Sequence, residues 1–329
     1  MKTGSNTKLS TSFTLDRIMN PVALIRRVGN TLASVACAAI MCYSMIGLSA
    51  SSAAAQSTRP RGTLLIVGGG TQPHDLVVHF VALAGGPGHA RIAILPMASE
   101  ESAESGAEKK AELDSLGADS FVIDVTRQQA DADSIVKLLR SATGIWFPGG
   151  DQVRLVDHLQ GSAALREIHA RYQAGAVVGG TSAGAAVMSD SMLTGNQFFP
   201  GVAASVDSGS TPKRIGRHVI EIIPGFGFLH GAIVDQHFIT RARANRLFSV
   251  IMERPSLIGV GINEGTALQV NSDGRWQILG ASAVIVFDAR HATVTPKSVP
   301  LLGAFGMNVS VLPAGSTFDP RTGKATLPK

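Results

Sequence analysis

The feature of this 329-residue chain that most limits its fold is a series of short apolar runs that alternate with segments of helical spacing. The runs lie at residues 63–70, 90–99, 120–125, 144–152 and 176–184. Unbroken apolar strands separated by helices are typical of a parallel sheet that is buried on both faces. We therefore predict an α/β fold, namely a three-layer sandwich with a mainly parallel central sheet.

The C-terminal part has a different pattern. Short alternating runs at residues 266–270, 275–280 and 282–289 are separated by turn residues, which indicates antiparallel strands appended to the main sheet. From about Thr295 onwards we predict loops and an edge strand.

The N-terminus has the pattern of a targeting segment. Residues 1–32 carry five basic side chains and one acidic side chain, and residues 32–50 carry no charge. Small residues follow and fit a cleavage signal that ends at Ala55, as in a secretory signal peptide. The alternative is a transmembrane anchor, since 19 apolar residues just span a bilayer. Because alanine and serine are frequent in and after the run, we favour cleavage without a stable membrane anchor. We predict a signal peptide at 1–55, a hydrolase domain at 56–329 and a secreted or periplasmic location.

Cleavage changes what composition implies about partners and metals. The leader holds net charge +4 of the total +5, so the remaining chain is nearly neutral and nothing indicates nucleic-acid binding. Both cysteines, Cys37 and Cys42, lie in the leader, which excludes disulfides and cysteine-bound metals from the exported product.

The sequence "GTSAG" at residues 180–184 matches the G-x-S-x-G nucleophile elbow. In such an elbow, small residues permit a sharp turn that exposes Ser182 above the sheet, and the N–H of Ala183 is available to an oxyanion. An ordinary serine in a glycine turn has the same local sequence, so the motif alone leaves both readings open.

A nucleophilic serine needs a base and an acid that orients it. Among nine histidines, His237 stands out because an apolar strand end delivers it together with Asp235 and Gln236. A segment of helical spacing then carries Arg241, Arg243 and Arg246. The alternative is a solvated basic helix with a surface histidine.

Glu264 is our candidate for the orienting acid because it follows an apolar strand, with Asp190, Asp207 and Asp235 as rivals. Ligands bind beyond the carboxyl ends of strands in an open parallel sheet. We therefore expect the glycine turns at 68–70, 149–150 and 179–184 to share one crevice.

Four blocks in this order resemble the signature blocks of cyanophycinases: "FPGGDQ", "GGTSAGAAVMSD", "VDQHFITRARANRL" and "GVGINEGTAL". Cyanophycinases share one serine peptidase family with aspartyl dipeptidase, on a fold similar to class I glutamine amidotransferases. The resemblance implies Ser182 as nucleophile, His237 as base and Glu264 as orienting acid, with oxyanion donors at Gly150 and Ala183. The substrate contacts that it implies are Gln152, Asp235, Gln236, Arg241, Arg243 and Arg246. The chain departs from the family pattern at Asn263 and Gly265.

The implied substrate is cyanophycin, multi-L-arginyl-poly-L-aspartate, cut through an acyl-enzyme to β-Asp-Arg dipeptides. Arginine guanidinium groups pair with aspartyl carboxylates, and Asp235 is our candidate partner for a substrate arginine. This chemistry requires no metal or organic cofactor. The alternatives are an exported aspartyl or isoaspartyl peptidase for short peptides, and a non-catalytic protein that binds Asp- or Arg-containing peptides. A homodimer is one candidate oligomeric state.

Overall fold

The computed structural model describes residues 59–199, 201, 204–206 and 211–329. The predicted signal peptide at 1–55 lies outside them, whereas Arg59–Lys329 forms one compact unit. Within the described ranges, no helix is both long enough and apolar enough to span a bilayer.

Five parallel strands form the predicted centre of the larger sheet, in the order β3-β2-β4-β5-β1. They are β1 (Leu64–Val67), β2 (Arg91–Ile94), β3 (Asp119–Val122), β4 (Gly144–Phe147) and β5 (Val177–Thr181). Each strand is only four or five residues long and ends at the same edge of the sheet, where the glycine turns begin.

Helices cover both faces of this sheet. They are α1 (His74–Leu83), α2 (Ser102–Ser115), α3 (Asp133–Arg140), α4 (Gln152–Leu159) and α5 (Ala163–Ala174). Alternate residues of β1 enter different core clusters: Leu64 and Ile66 pack with α3–α5, whereas Leu65 and Val67 pack with α1. The predicted three-layer α/β sandwich is therefore confirmed.

Helix α4 was not predicted, although Leu155 and Leu159 are buried at helical spacing. Asp151 caps it by accepting a hydrogen bond from the N–H of Val153 at 2.8 Å. Asp131 accepts a hydrogen bond from the N–H of Ala163 at the start of α5.

The appended antiparallel strands are confirmed in part. The sheet continues from β1 through β10 (Thr266–Val270), β11 (Trp276–Gly280), β16 (Thr317–Asp319) and β17 (Lys324–Thr326). The run at 282–289 does not join this sheet, because β10 and β16 already occupy both edges of β11. The region after Thr295 is richer in strands than predicted.

A second, four-stranded sheet has the order β15-β12-β9-β8. Its strands are β8 (Ala232–Asp235), β9 (Ile258–Ile262), β12 (Ala283–Asp288) and β15 (Asn308–Pro313). Two ribbons complete the fold, one of β6 (Ser191–Gln197) and β7 (Ile220–Pro224), the other of β13 (Thr293–Val294) and β14 (Ala304–Phe305).

Two short helices connect these strands. Helix α6 (Ala183–Ala186) follows β5, and α7 (Ala244–Glu253) lies between β8 and β9. Helix α7 begins late, so of the three arginines that follow His237 only Arg246 lies within it.

A buried ion pair fixes the start of α7 to the end of β8. Arg246 donates two hydrogen bonds to the carboxylate of Asp235, one of them from Nε to Oδ2 at 2.7 Å. The Asp235 side chain is 0% exposed, and Nη1 of Arg243 lies 3.6 Å from its Oδ1. The buried negative charge of Asp235 is therefore balanced by arginine side chains of the protein itself.

We predict that Arg246→Met lowers the free energy of unfolding by about 3–5 kcal/mol, because Asp235 stays buried without its bidentate partner. Urea denaturation measures this loss. The double variant Asp235→Asn/Arg246→Met recovers at least half of it, since no buried charge remains. The control is Arg254→Met, at the exposed end of the same helix. The prediction would be contradicted if Arg246→Met were as stable as Arg254→Met.

Candidate active site

The three predicted glycine turns meet in one crevice at the carboxyl edge of the parallel strands. The carbonyl of Gly68 accepts the N–H of His237 at 2.7 Å. A β-carbon added at Gly69 would lie 2.3 Å from Cε1 of His237, so only glycine leaves room for the imidazole there. A β-carbon at Gly149 would lie 3.4 Å from Cβ of Ser182, which places the second turn beside the third.

Ser182 lies between β5 and α6 on a strained backbone. Its φ is +53° and its ψ is −109°, a conformation that non-glycine residues rarely adopt. A β-carbon at Gly180 would lie 2.5 Å from the carbonyl oxygen of Gly184, which explains why the turn requires small residues. The turn thus has the sharp strand-to-helix geometry of an elbow rather than that of an ordinary tight turn.

His237 joins the serine to Glu264. Its Nε2 lies 2.8 Å from Oγ of Ser182, and its Nδ1 lies 2.6 Å from Oε1 of Glu264. A hydrogen bond from Nδ1–H to the carboxylate leaves the Nε2 lone pair facing the serine hydroxyl. The structure therefore brings together the three residues that the sequence selected from three separate segments.

Burial lowers the pKa of His237 below its ordinary value near 6.5. The hydrogen bond to Glu264 opposes this effect by stabilising the imidazolium, whereas the positive charges of Arg241 and Arg243 add to it. The net direction is downward, so the imidazole is neutral, and able to accept a proton, at neutral pH.

The rival carboxylates have other partners. Asp190 lies 2.7 Å from Nδ1 of His230, and Asp235 is paired with Arg246. Asp207 lies outside the described residues. Glu264 is thus the carboxylate that contacts His237.

The proposed oxyanion donors lie next to the serine. Ala183 is the first residue of α6, so its N–H has no carbonyl partner within that helix. Gly150 has a φ of +137°, and a β-carbon there would lie 2.1 Å from the carbonyl oxygen of Ala98. The backbone turn at Gly150 therefore also depends on glycine.

A cleft of about 690 Å³ opens above Ser182. Five of the six predicted substrate contacts line it: Gln152, Gln236, Arg241, Arg243 and Arg246. Asp235 does not, because its carboxylate is buried beneath them in the pair with Arg246. The structure therefore does not place Asp235 within reach of a substrate arginine, because its carboxylate is already paired with Arg246.

Two buried polar atoms of the cleft residues have no hydrogen-bond partner within the described part of the chain, namely Oε1 of Gln236 and Nε of Arg243. Burial lowers the pKa of Arg243 to about 10, with a smaller contribution from the nearby charge of Arg246. Since buried polar groups are normally hydrogen-bonded, these two atoms are exceptions beside the cleft.

Sequence reasoning missed a second set of cleft residues, Glu100, Asp151, Val153, Thr194, Gly195, Asn196 and Thr211. Gln152 holds the β6 segment by donating from Nε2 to the carbonyls of Leu193 and Thr194, at 2.7 and 2.6 Å. Except for Asp151, which belongs to the block "FPGGDQ", these residues lie outside the quoted blocks, so no sequence signal marked them.

Asn263, a departure from the family pattern, supports the chain after His237. Its Oδ1 accepts the N–H groups of Ile239 and Thr240 at 3.2 and 3.1 Å. Gly265, the other departure, has a φ of +63°. Both residues therefore fit local backbone requirements next to Glu264.

Comparison with known proteins also relates this chain to peptidases. The model of peptidase family S51 matches residues 64–278. The chain is 32% identical over 247 residues to the cyanophycinase of Nostoc sp. (strain PCC 7120 / SAG 25.82 / UTEX 2576), covering 73% of this chain and 78% of that protein. It is 30% identical over 278 residues to the cyanophycinase of Synechococcus elongatus, covering 81% and 82%.

A solved structure supports the fold independently. The crystal structure of a peptidase from an acI-B1 Actinobacterium superposes with a TM-score of 0.55 at 23% identity, covering 78% of this chain and 98% of that one. The chain belongs to peptidase family S51 and is a serine-type peptidase.

Proposed function

We propose that this protein is an exported cyanophycinase, which degrades cyanophycin to β-Asp-Arg dipeptides through an acyl-enzyme. The observation that carries the proposal is the hydrogen-bonded chain Ser182–His237–Glu264 at the base of a cleft lined by arginines. Relatives named cyanophycinase, at about 30% identity over most of the chain, support the choice of substrate.

The mechanism follows from the geometry. His237 takes the proton of the Ser182 hydroxyl as Oγ attacks the scissile carbonyl, and Glu264 stabilises the resulting imidazolium. The N–H groups of Gly150 and Ala183 hold the oxyanion, and the loss of one such donor typically costs about 10²–10³ in rate. His237 then returns the proton to the leaving amine, and water hydrolyses the acyl-enzyme.

The positive charge of the cleft arginines complements the free carboxylates of cyanophycin. Each arginine of cyanophycin is attached through its α-amino group to an aspartyl β-carboxyl, so its α-carboxylate remains free. Arg241 and Arg243 line the cleft, and a guanidinium binds a carboxylate with paired hydrogen bonds. Arg246 binds the carboxylate of Asp235, and Arg243 lies 3.6 Å from the same carboxylate and donates from Nη1 to the carbonyl of Gln236 at 2.7 Å.

We predict that the purified enzyme clears insoluble cyanophycin and releases β-Asp-Arg. Ser182→Ala lowers that rate by about 10⁴- to 10⁶-fold, because no other group replaces the nucleophile. Turbidity and amine release measure the reaction, with the exposed Ser115→Ala as control. Cleavage of short α- or β-aspartyl peptides without clearing would favour the short-peptide peptidase. Binding of polymer without turnover would overturn the enzymatic proposal.

The lowered pKa of His237 predicts a pH profile. Because the base must be neutral, kcat/KM falls on the acid side as His237 becomes protonated, and the midpoint lies below 6.5. Arg241→Gln removes a nearby positive charge that disfavours the imidazolium, so the midpoint moves to higher pH. Profiles with a soluble aspartyl peptide measure both midpoints. Arg254→Gln is the control, and a midpoint that Arg241→Gln moves downward would contradict the assignment.

Export is the remaining part of the proposal. The cleavage site after Ala55 lies outside the compact unit Arg59–Lys329. We predict that expression of the full chain in a bacterial host yields a product outside the cytoplasm that begins at Gln56, as determined by N-terminal sequencing. Ala53→Lys/Ala55→Lys disrupts the small-residue cleavage signal, and the leader is then retained. A full-length cytoplasmic product from the unaltered chain would refute export.

A further inference from the structure

The exclusion of Asp235 from the cleft leaves the guanidinium of a substrate arginine without an assigned partner. We propose that Glu100 fills this role and makes the enzyme selective for a cationic side chain on the substrate. This inference rests on the proposed cyanophycinase function and adds a specificity-determining residue that the family motifs do not include.

Glu100 is held next to the reacting centre by the turn that follows β2. The carbonyl of Ala98 accepts the N–H of Asp151 at 2.8 Å, and Gly150 contacts the same carbonyl closely enough to exclude a β-carbon. The turn is closed by the N–H of Ser99, which donates to the carbonyl of Pro96 at 2.9 Å. Glu100 therefore follows a backbone segment that is fixed to the Gly150 turn.

Among the residues that the structure describes, Glu100 also carries an unpaired carboxylate in this cleft. Its side chain is exposed and makes no hydrogen bond or ion pair with any residue in the described ranges. Asp151, which lines the same cleft, uses its carboxylate to cap α4. Glu264 uses its carboxylate to orient His237.

The cleft therefore presents two opposite charges from different elements. Glu100, after β2, supplies the negative charge, and Arg241 and Arg243, between β8 and α7, supply the positive charge. A substrate arginine attached through its α-amino group has a charge for each side: its guanidinium complements Glu100, and its free α-carboxylate complements the arginines. Pairing of a carboxylate with a guanidinium gives two parallel hydrogen bonds, so one substrate residue satisfies both sides of the cleft.

The test uses two soluble oligomers of aspartate, one with arginine and one with citrulline on each β-carboxyl. Citrulline has nearly the shape of arginine but no charge. For the unaltered enzyme, we expect kcat/KM to be higher on the arginine oligomer. Glu100→Gln lowers that ratio by about fivefold, in the range of a solvent-accessible ion pair, and leaves kcat/KM on the citrulline oligomer within about twofold.

The matched control is Glu101→Gln, which changes the neighbouring exposed glutamate that does not line the cleft and leaves the ratio unchanged. Glu100→Asp keeps the charge and retains most of the selectivity. A ratio unaffected by Glu100→Gln, in an enzyme that cleaves the oligomers, would overturn the role of Glu100 alone. Failure of the unaltered enzyme to cleave either oligomer would refute the proposed function, and the role of Glu100 with it.

Discussion

Two adjacent carbonyl groups at the end of β1 hold both halves of the proposed nucleophile–base pair. The carbonyl of Val67 accepts the N–H of Ser182 at 3.1 Å, and the carbonyl of Gly68 accepts the N–H of His237 at 2.7 Å. Both residues have positive φ, +53° and +50°, and such strain costs about 1–3 kcal/mol each. Because neighbouring peptide groups anchor both, the distance between Oγ and Nε2 is set by the backbone of one strand rather than by flexible loops.

The glycines after β1 allow the two sheets to approach each other at this point. Ser182 follows a strand of the main sheet, whereas His237 and Glu264 follow strands of the second sheet. A β-carbon at Gly68 would lie 2.1 Å from the carbonyl oxygen of Asn263, and one at Gly70 would lie 2.8 Å from Cβ of Glu264. A larger residue at either position would separate the elements that supply the serine and the glutamate. The glycines at 68–70 therefore permit close packing between the two sheets.

Sequence reasoning selected three residues that the structure places within hydrogen-bond distance of one another. Ser182, His237 and Glu264 each follow an apolar strand, and these three strands end at one crevice although they belong to two sheets. It failed for Asp235, because an apolar strand end does not show whether its carboxylate faces a cleft or an arginine on the next helix. The run at 282–289 was assigned to the wrong sheet, because strand pattern does not reveal which edges are already occupied. Glu100 lies on a loop without a periodic pattern, and only the folded chain shows its neighbours.

The buried pair of Asp235 and Arg246 explains how three arginines lie close together in one cleft. Three unpaired guanidinium groups repel one another, and burial already lowers the pKa of Arg243 to about 10. The carboxylate of Asp235 binds Arg246 directly and lies 3.6 Å from Nη1 of Arg243, so it offsets part of that repulsion from beneath. Arg241 and Arg243 then keep their charge for the cleft, while Nε of Arg243 still lacks a partner among the described residues. A substrate carboxylate beside Arg241 and Arg243 adds negative charge there, which favours acidic ligands at this side of the cleft.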